Sequence, residues 1–146
     1  MRFWDSSALI PLLVDEPTGE TIRGWLHEDT GILAWWATRV EITSALARRE
    51  REGLLSAEET NAAAAALQRL AGAWEEVAPS EIIRSAAQRL LRNHTLRAAD
   101  SLQLAAAWVA AGQEPAALEI VSLDERLSAA ARREGFRVRS LPEYRG

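Results

Sequence analysis

Met1-Arg2-Phe3-Trp4-Asp5-Ser6-Ser7-Ala8-Leu9-Ile10-Pro11-Leu12-Leu13 opens the chain with a short apolar run, one acid, a pair of hydroxyls and a second apolar run. Asp5 therefore marks a strand-to-helix turn. The same pattern returns near the other end, where Ile120-Val121 leads through Ser122-Leu123 to Asp124 and the helical Glu125-Arg126-Leu127. In an open α/β sheet ligands sit beyond the carboxyl ends of the strands, so acids repeatedly placed there converge on one crevice. Working outward, short β-like runs at Arg2–Trp4, Ile32–Trp36, Trp74–Val77, Glu119–Leu123 and Arg137–Ser140 alternate with longer helical patterns. Those patterns predict helices over Ser7–Val14, Gly19–His27, Thr38–Glu52, Ala57–Ala71, Ser80–Asn93, Ala98–Ala111 and Glu125–Glu134. The alternation predicts an α/β fold of three α/β/α layers, with a mainly parallel central sheet of about five strands. Ser56 and Ser80 stand as helix N-caps, and Gly53, Gly112 and Gly135 at helix C-termini.

A chain of 146 residues fits one domain, residues 1–146, and no linker-like stretch divides it. Its longest apolar runs are far too short to span a bilayer, and no basic-then-apolar leader opens it, so a cytoplasmic location is expected. Cysteine is absent and only His27 and His94 are present, which excludes thiolate chemistry and disfavours a zinc site. Carboxylate oxygens are the remaining metal ligands, and hard oxygen donors suit Mg²⁺ or Mn²⁺. The net charge of −4 argues against bulk electrostatic attraction of nucleic acid, though not against a local basic rim.

Asp5 and Asp124 each have a plain reading as helix N-caps, and capping and metal binding are compatible roles. Asp100 falls in the first turn of its helix, where a negative charge also suits the helix dipole. Glu41 lies between Val40 and Ile42 with Ser44 and Ala45 three and four residues on, so no basic partner along the helix explains it. Alternation places Ser122 on the same side of its strand as Asp124. Each acid alone says little; the four in this order point jointly to a divalent-cation site. Arg48, Arg49 and Arg51, and Arg84, Arg89, Arg92 and Arg97, are candidate nucleic-acid-facing groups with a simpler reading as solvated helix faces. Of Trp35 and Trp36, at least one should be buried, because neighbouring strand residues face opposite ways.

The segments Phe3-Trp4-Asp5-Ser6-Ser7-Ala8-Leu9, Thr38-Arg39-Val40-Glu41-Ile42-Thr43-Ser44-Ala45-Leu46, Leu96-Arg97-Ala98-Ala99-Asp100-Ser101-Leu102-Gln103-Leu104-Ala105 and Val121-Ser122-Leu123-Asp124-Glu125-Arg126-Leu127 resemble those of PIN-domain ribonucleases, most closely VapC-type toxins of toxin–antitoxin pairs. The resemblance continues through Ala129-Ala130-Ala131 to Gly135 and covers nearly the whole chain. It implies an Mg²⁺-dependent endoribonuclease that leaves a 5′-phosphate and a 3′-hydroxyl. It also implies a metal site of Asp5, Glu41, Asp100 and Asp124 supported by the Ser6 hydroxyl, a VapB-like antitoxin partner and a homodimer. The alternatives are a PIN nuclease of RNA processing or DNA repair, and a catalytically silent binding module.

Overall fold

The computed structural model describes residues 1–141. Strands run over Arg2–Trp4 (β1), Ile32–Trp35 (β2), Glu75–Val77 (β3), Glu119–Val121 (β4) and Arg137–Arg139 (β5). Helices run over Ser6–Leu9 (α1), Gly19–Glu28 (α2), Thr38–Arg51 (α3), Ala57–Ala71 (α4), Glu81–Asn93 (α5), Ala98–Ala110 (α6) and Glu125–Arg133 (α7), with single 3₁₀ turns at Ile10–Leu12 and Pro115–Ala117. The strands form one sheet in the order β3-β2-β1-β4-β5, with every neighbouring pair parallel.

Alternation along each strand divides the core between two faces. Phe3, Trp35 and Ile120 face α5, α6 and α7. Trp4, Ile32, Ala34 and Val121 face the layer of α1 to α4. The change of layer follows from the strand order. The chain first steps from β1 to β2 to β3 in one direction, then returns past β1 to β4 and β5. Crossovers between parallel strands keep one hand, so reversing direction moves the connecting helices to the opposite face. The reversal falls between β1 and β4, the switch point where doubly wound sheets open toward ligands.

Two boundaries differ from expectation by two residues or more, for local reasons. The predicted helix Ser7–Val14 is α-helical only to Leu9, because Pro11 has no N–H to donate and its ring disfavours a continuous α-helix; a 3₁₀ turn takes over. The predicted strand Glu119–Leu123 stops at Val121, because the Leu123 N–H bonds at 2.9 Å to the Ser7 hydroxyl rather than to a neighbouring strand. The second departure ties the β4 end to the start of α1. The caps follow the sequence: Ser56 and Glu59 form a reciprocal capping box, and Ser80 caps α5. Gly53 and Gly112 follow helix ends at φ of 76° and 66°, a region that glycine enters without strain. Among the described residues, no helix is long and apolar enough to cross a membrane.

Candidate metal centre

Asp5 leaves the end of β1 and is almost fully buried, 3% exposed, with an ordered set of donors around it. Its Oδ1 accepts from the Ser7 hydroxyl at 2.6 Å and from the Ala8 N–H at 3.3 Å, which caps α1. Its Oδ2 accepts from the Ser122 hydroxyl at 2.9 Å. Ser122 in turn accepts from the Asp124 N–H at 3.1 Å, and Asp124 Oδ1 caps α7 through the Leu127 N–H at 3.0 Å. Capping thus coexists with a place in the acidic centre for both Asp5 and Asp124. Of the two adjacent serines, the sequence pointed to the Ser6 hydroxyl as the support; the one that bonds Asp5, alongside Ser122, belongs to Ser7.

Glu41, in the first turn of α3, approaches from beyond β2. Its Oε2 accepts from Gln103 Nε2 at 2.7 Å, and the same amide nitrogen donates to Thr38 Oγ1 at 2.9 Å. Asp100 lies one turn earlier than Gln103 on α6. Neither Gln103 nor Thr38 stands out in the sequence reading. The available signal was a glutamine set among Leu102, Leu104 and Ala105 on a helix whose next residues are buried.

The four acids influence one another electrostatically. Burial pushes the Asp5 carboxyl up to about 6, against the pull of its Ser7, Ser122 and Ala8 donors and with the Asp124 charge adding to the rise. Burial likewise pushes Glu41 up to about 7, and the charges of Asp5 and Asp100 add to it while Gln103 opposes it. Asp100 is raised by burial and by Asp124, with Arg97 and Arg126 opposing. Among the described residues none of the four acids forms an ion pair.

That chemistry fits a hard divalent cation: the donors are oxygens, they are partly desolvated, and their shared negative charge lacks a paired cation. No three of the described acids stand close enough to make a complete ligand set, although their charges couple. The two observations agree with Mg²⁺ chemistry, in which one or two carboxylates bind directly and water or substrate phosphate fills the other positions. Asp100 and Asp124 line an open cleft of about 460 Å³ with Arg97, Ala99, Glu125 and Arg126. A larger hollow of about 1030 Å³ beside β5 contains none of the four acids and includes Leu141, where the described residues end. The chemistry favours the smaller cleft.

Trp35 is buried and Trp36 is 56% exposed beyond the end of β2. Arg49, Arg84 and Arg89 pair with Glu16, Glu81 and Glu134, which removes them from the set of uncommitted cations.

The PIN domain family model matches residues 2–133, and the chain belongs to that family, whose members are generally nucleases. Several solved structures share the fold. FitAcB from Neisseria gonorrhoeae is 19% identical with a TM-score of 0.66, over 94% of this chain and 96% of that one. VapC20 from Mycobacterium tuberculosis, described as a sarcin-ricin loop cleaving toxin, is 21% identical with a TM-score of 0.65, over 93% and 96%. PAE2754 from Pyrobaculum aerophilum is 19% identical with a TM-score of 0.65, over 94% and 87%. No curated protein sequence matches the chain.

Proposed function

We propose that this chain is an Mg²⁺-dependent endoribonuclease, active also with Mn²⁺, and the toxin of a VapBC-type pair. The observation that supports the reading is four acids without an ion pair near the β1/β4 switch point of a PIN domain, coupled by charge as Asp5 with Asp124, Glu41 with Asp5 and Asp100, and Asp100 with Asp124. Asp5 and Asp100 are the principal ligands, Asp124 binds directly or through water, and Glu41 is a ligand or orients the attacking water. Ser122, and Ser7 in the place first given to Ser6, hold Asp5 in one rotamer. When bound, Mg²⁺ supplies charge neutralisation at the phosphoryl oxygens and an acidified water.

The chain's own groups account for substrate approach. Arg97 and Arg126 flank the Asp100/Asp124 cleft and give an otherwise acidic centre two guanidiniums suited to phosphate oxygens. Trp36 offers an exposed aromatic face for an unpaired base, a contact worth about 1–3 kcal/mol. The toxin assignment draws support from the similarity to VapC20, a toxin by its description, at an identity that speaks for fold alone. A VapB-like antitoxin is expected to bring a basic side chain, best an Arg, into the acidic cleft, and the working form is expected to be a cytoplasmic homodimer.

The test is cleavage of RNA by the purified chain with Mg²⁺, with excess EDTA, and by Asp5→Asn and Asp100→Asn. Cleavage only by the parent with metal supports the nuclease. Cleavage in EDTA, or by both variants, overturns it. Co-expression with the product of the adjacent reading frame tests the toxin assignment, which fails if that product neither binds nor protects RNA.

A further inference from the structure

The Gln103 side chain is 1% exposed, and Thr38 beside it is fully buried. Both hydrogens of Gln103 Nε2 are used, on Glu41 Oε2 at 2.7 Å and Thr38 Oγ1 at 2.9 Å. Its Oε1 is buried with no hydrogen-bond partner among the described residues. Leaving a buried amide oxygen unpaired is unfavourable. The side chain bears that cost while serving two acceptors at once, Thr38 Oγ1 and Glu41 Oε2.

The orientation also runs one way. Turning the amide over would set Oε1 against the Glu41 carboxylate and the two acceptors would repel. Only the orientation that orphans Oε1 gives the carboxylate a donor. Gln103 follows Asp100 by one turn of α6, so a single helix carries one acid of the centre and the hold on another acid from α3.

We propose that Gln103 is the positioning residue of Glu41. By occupying Oε2, it fixes the carboxylate's rotation and leaves Oε1 as the oxygen presented to the cation or its water. The inference rests on the metal-centre reading above and deepens it by naming the support that makes Glu41 a member of the centre.

The experiment is a double-mutant cycle read by calorimetric titration with Mn²⁺ on the full chain: parent, Gln103→Met, Glu41→Gln and the double variant, each checked by thermal melting without metal. Loss of such a support typically weakens metal about 10–100-fold. Gln103→Met is expected to lie in that range, and the double variant to bind no more weakly than Glu41→Gln alone. With RNA, Gln103→Met should lower kcat and leave KM near the parent value. Parental Mn²⁺ affinity in Gln103→Met, or an equal further loss in the Glu41→Gln background, overturns the proposal. Should Gln103→Met fail to fold, the side-chain amide NMR signals of Gln103 in the parent decide: they are expected to move on adding Mg²⁺ and to exchange faster in Glu41→Gln, and unchanged signals overturn the proposal. A parent that binds no Mn²⁺ defeats the metal centre and this inference together. Metal binding that Asp5→Asn abolishes and Gln103→Met leaves intact defeats this inference alone.

Discussion

At the amino ends of β1 and β4, Arg2 and Glu119 meet at 2.6 Å; at the carboxyl ends of the same strands, Asp5 and Asp124 repel. The first end is a closed network in which Arg2 and Arg139 each bridge Glu28 and Glu119, and Arg137 joins at 3.7 Å. Beside it the Met1 ammonium bonds to Asp29 at 2.7 Å and holds its carboxyl below the usual range. The second end leaves acids partly desolvated, unpaired and pushed up to about 6 and 7. One sheet thus neutralises its charge at one end and keeps it uncompensated at the other. Charge that the fold neutralises elsewhere and leaves uncompensated here is the setting the proposed cation site requires.

The largest expected difference between the ends is chemical. Asp5→Asn or Asp100→Asn should reduce RNA cleavage by about 10³-fold or more, since a bound metal supplies several kcal/mol to the barrier. Arg2→Gln should cleave at the parental rate below its melting temperature. A gel assay at matched folded concentration compares them, and equal losses at both ends would erase the distinction.

The next effect concerns acidity. A carboxyl raised on folding stabilises the fold below its unfolded pKa and loses that contribution as pH rises through its folded value. For Asp5, moving from 3.8 to about 6 gives roughly 3 kcal/mol lost between about pH 4 and 6. Glu41 adds a loss of the same sign that extends to about pH 7. Urea unfolding in EDTA should therefore show stability falling over that interval, with Asp5→Asn removing much of the fall. Mg²⁺ should reverse the slope, because ionised acids bind it. A metal-free protein whose stability rises steadily from pH 4 to 8 would contradict the burial of these acids.

At the neutralised end the signature is structural. Glu119→Gln leaves Arg2, whose side chain is 12% exposed, without its closest charged partner, and about 2 kcal/mol should be lost. At this chain length that lowers Tm by roughly 4–8 °C, with Mn²⁺ affinity unchanged. The smallest effect separates two adjacent hydroxyls. Ser7→Ala removes the 2.6 Å bond to Asp5 and the acceptor of the Leu123 N–H, for about 1–2 kcal/mol and a weaker hold on metal. Ser6→Ala should stay within about 0.5 kcal/mol.

Much of this architecture is legible in the residues. Phe3-Trp4 and Ile120-Val121 are apolar on both sides, as a parallel strand covered by two helical layers requires, and Asp5 and Asp124 follow them at the turns. The four acids proposed as the site stand out in the sequence because each lies at a strand or helix boundary. Their supports are legible only in part: alternation sets Ser122 beside Asp124, and its hydroxyl bonds Asp5, whereas Ser7, Gln103 and Thr38 do not stand out. Ser6 and Ser7 are chemically identical in sequence, and only the turn at Asp5 selects which hydroxyl faces it. Gln103 is 62 residues from Glu41, a distance no local pattern spans. The halt of α1 at Leu9 was legible in Pro11, whereas the early end of β4 depended on Ser7 reaching Leu123 across 116 residues.

The pairing of β1 with β4 also sets when in the life of the chain the centre comes into being. Asp5 is synthesised 117 positions before its Ser122 donor, and its own N–H bonds to the Val121 carbonyl. At about 5–20 residues per second, several seconds or more separate the two during synthesis. A nascent chain that stops before β4 has neither the donor nor the strand, so Asp5 lacks the setting described above. Synthesis interrupted before β4 therefore yields fragments in which Asp5 has neither the Ser122 donor nor the Val121 partner.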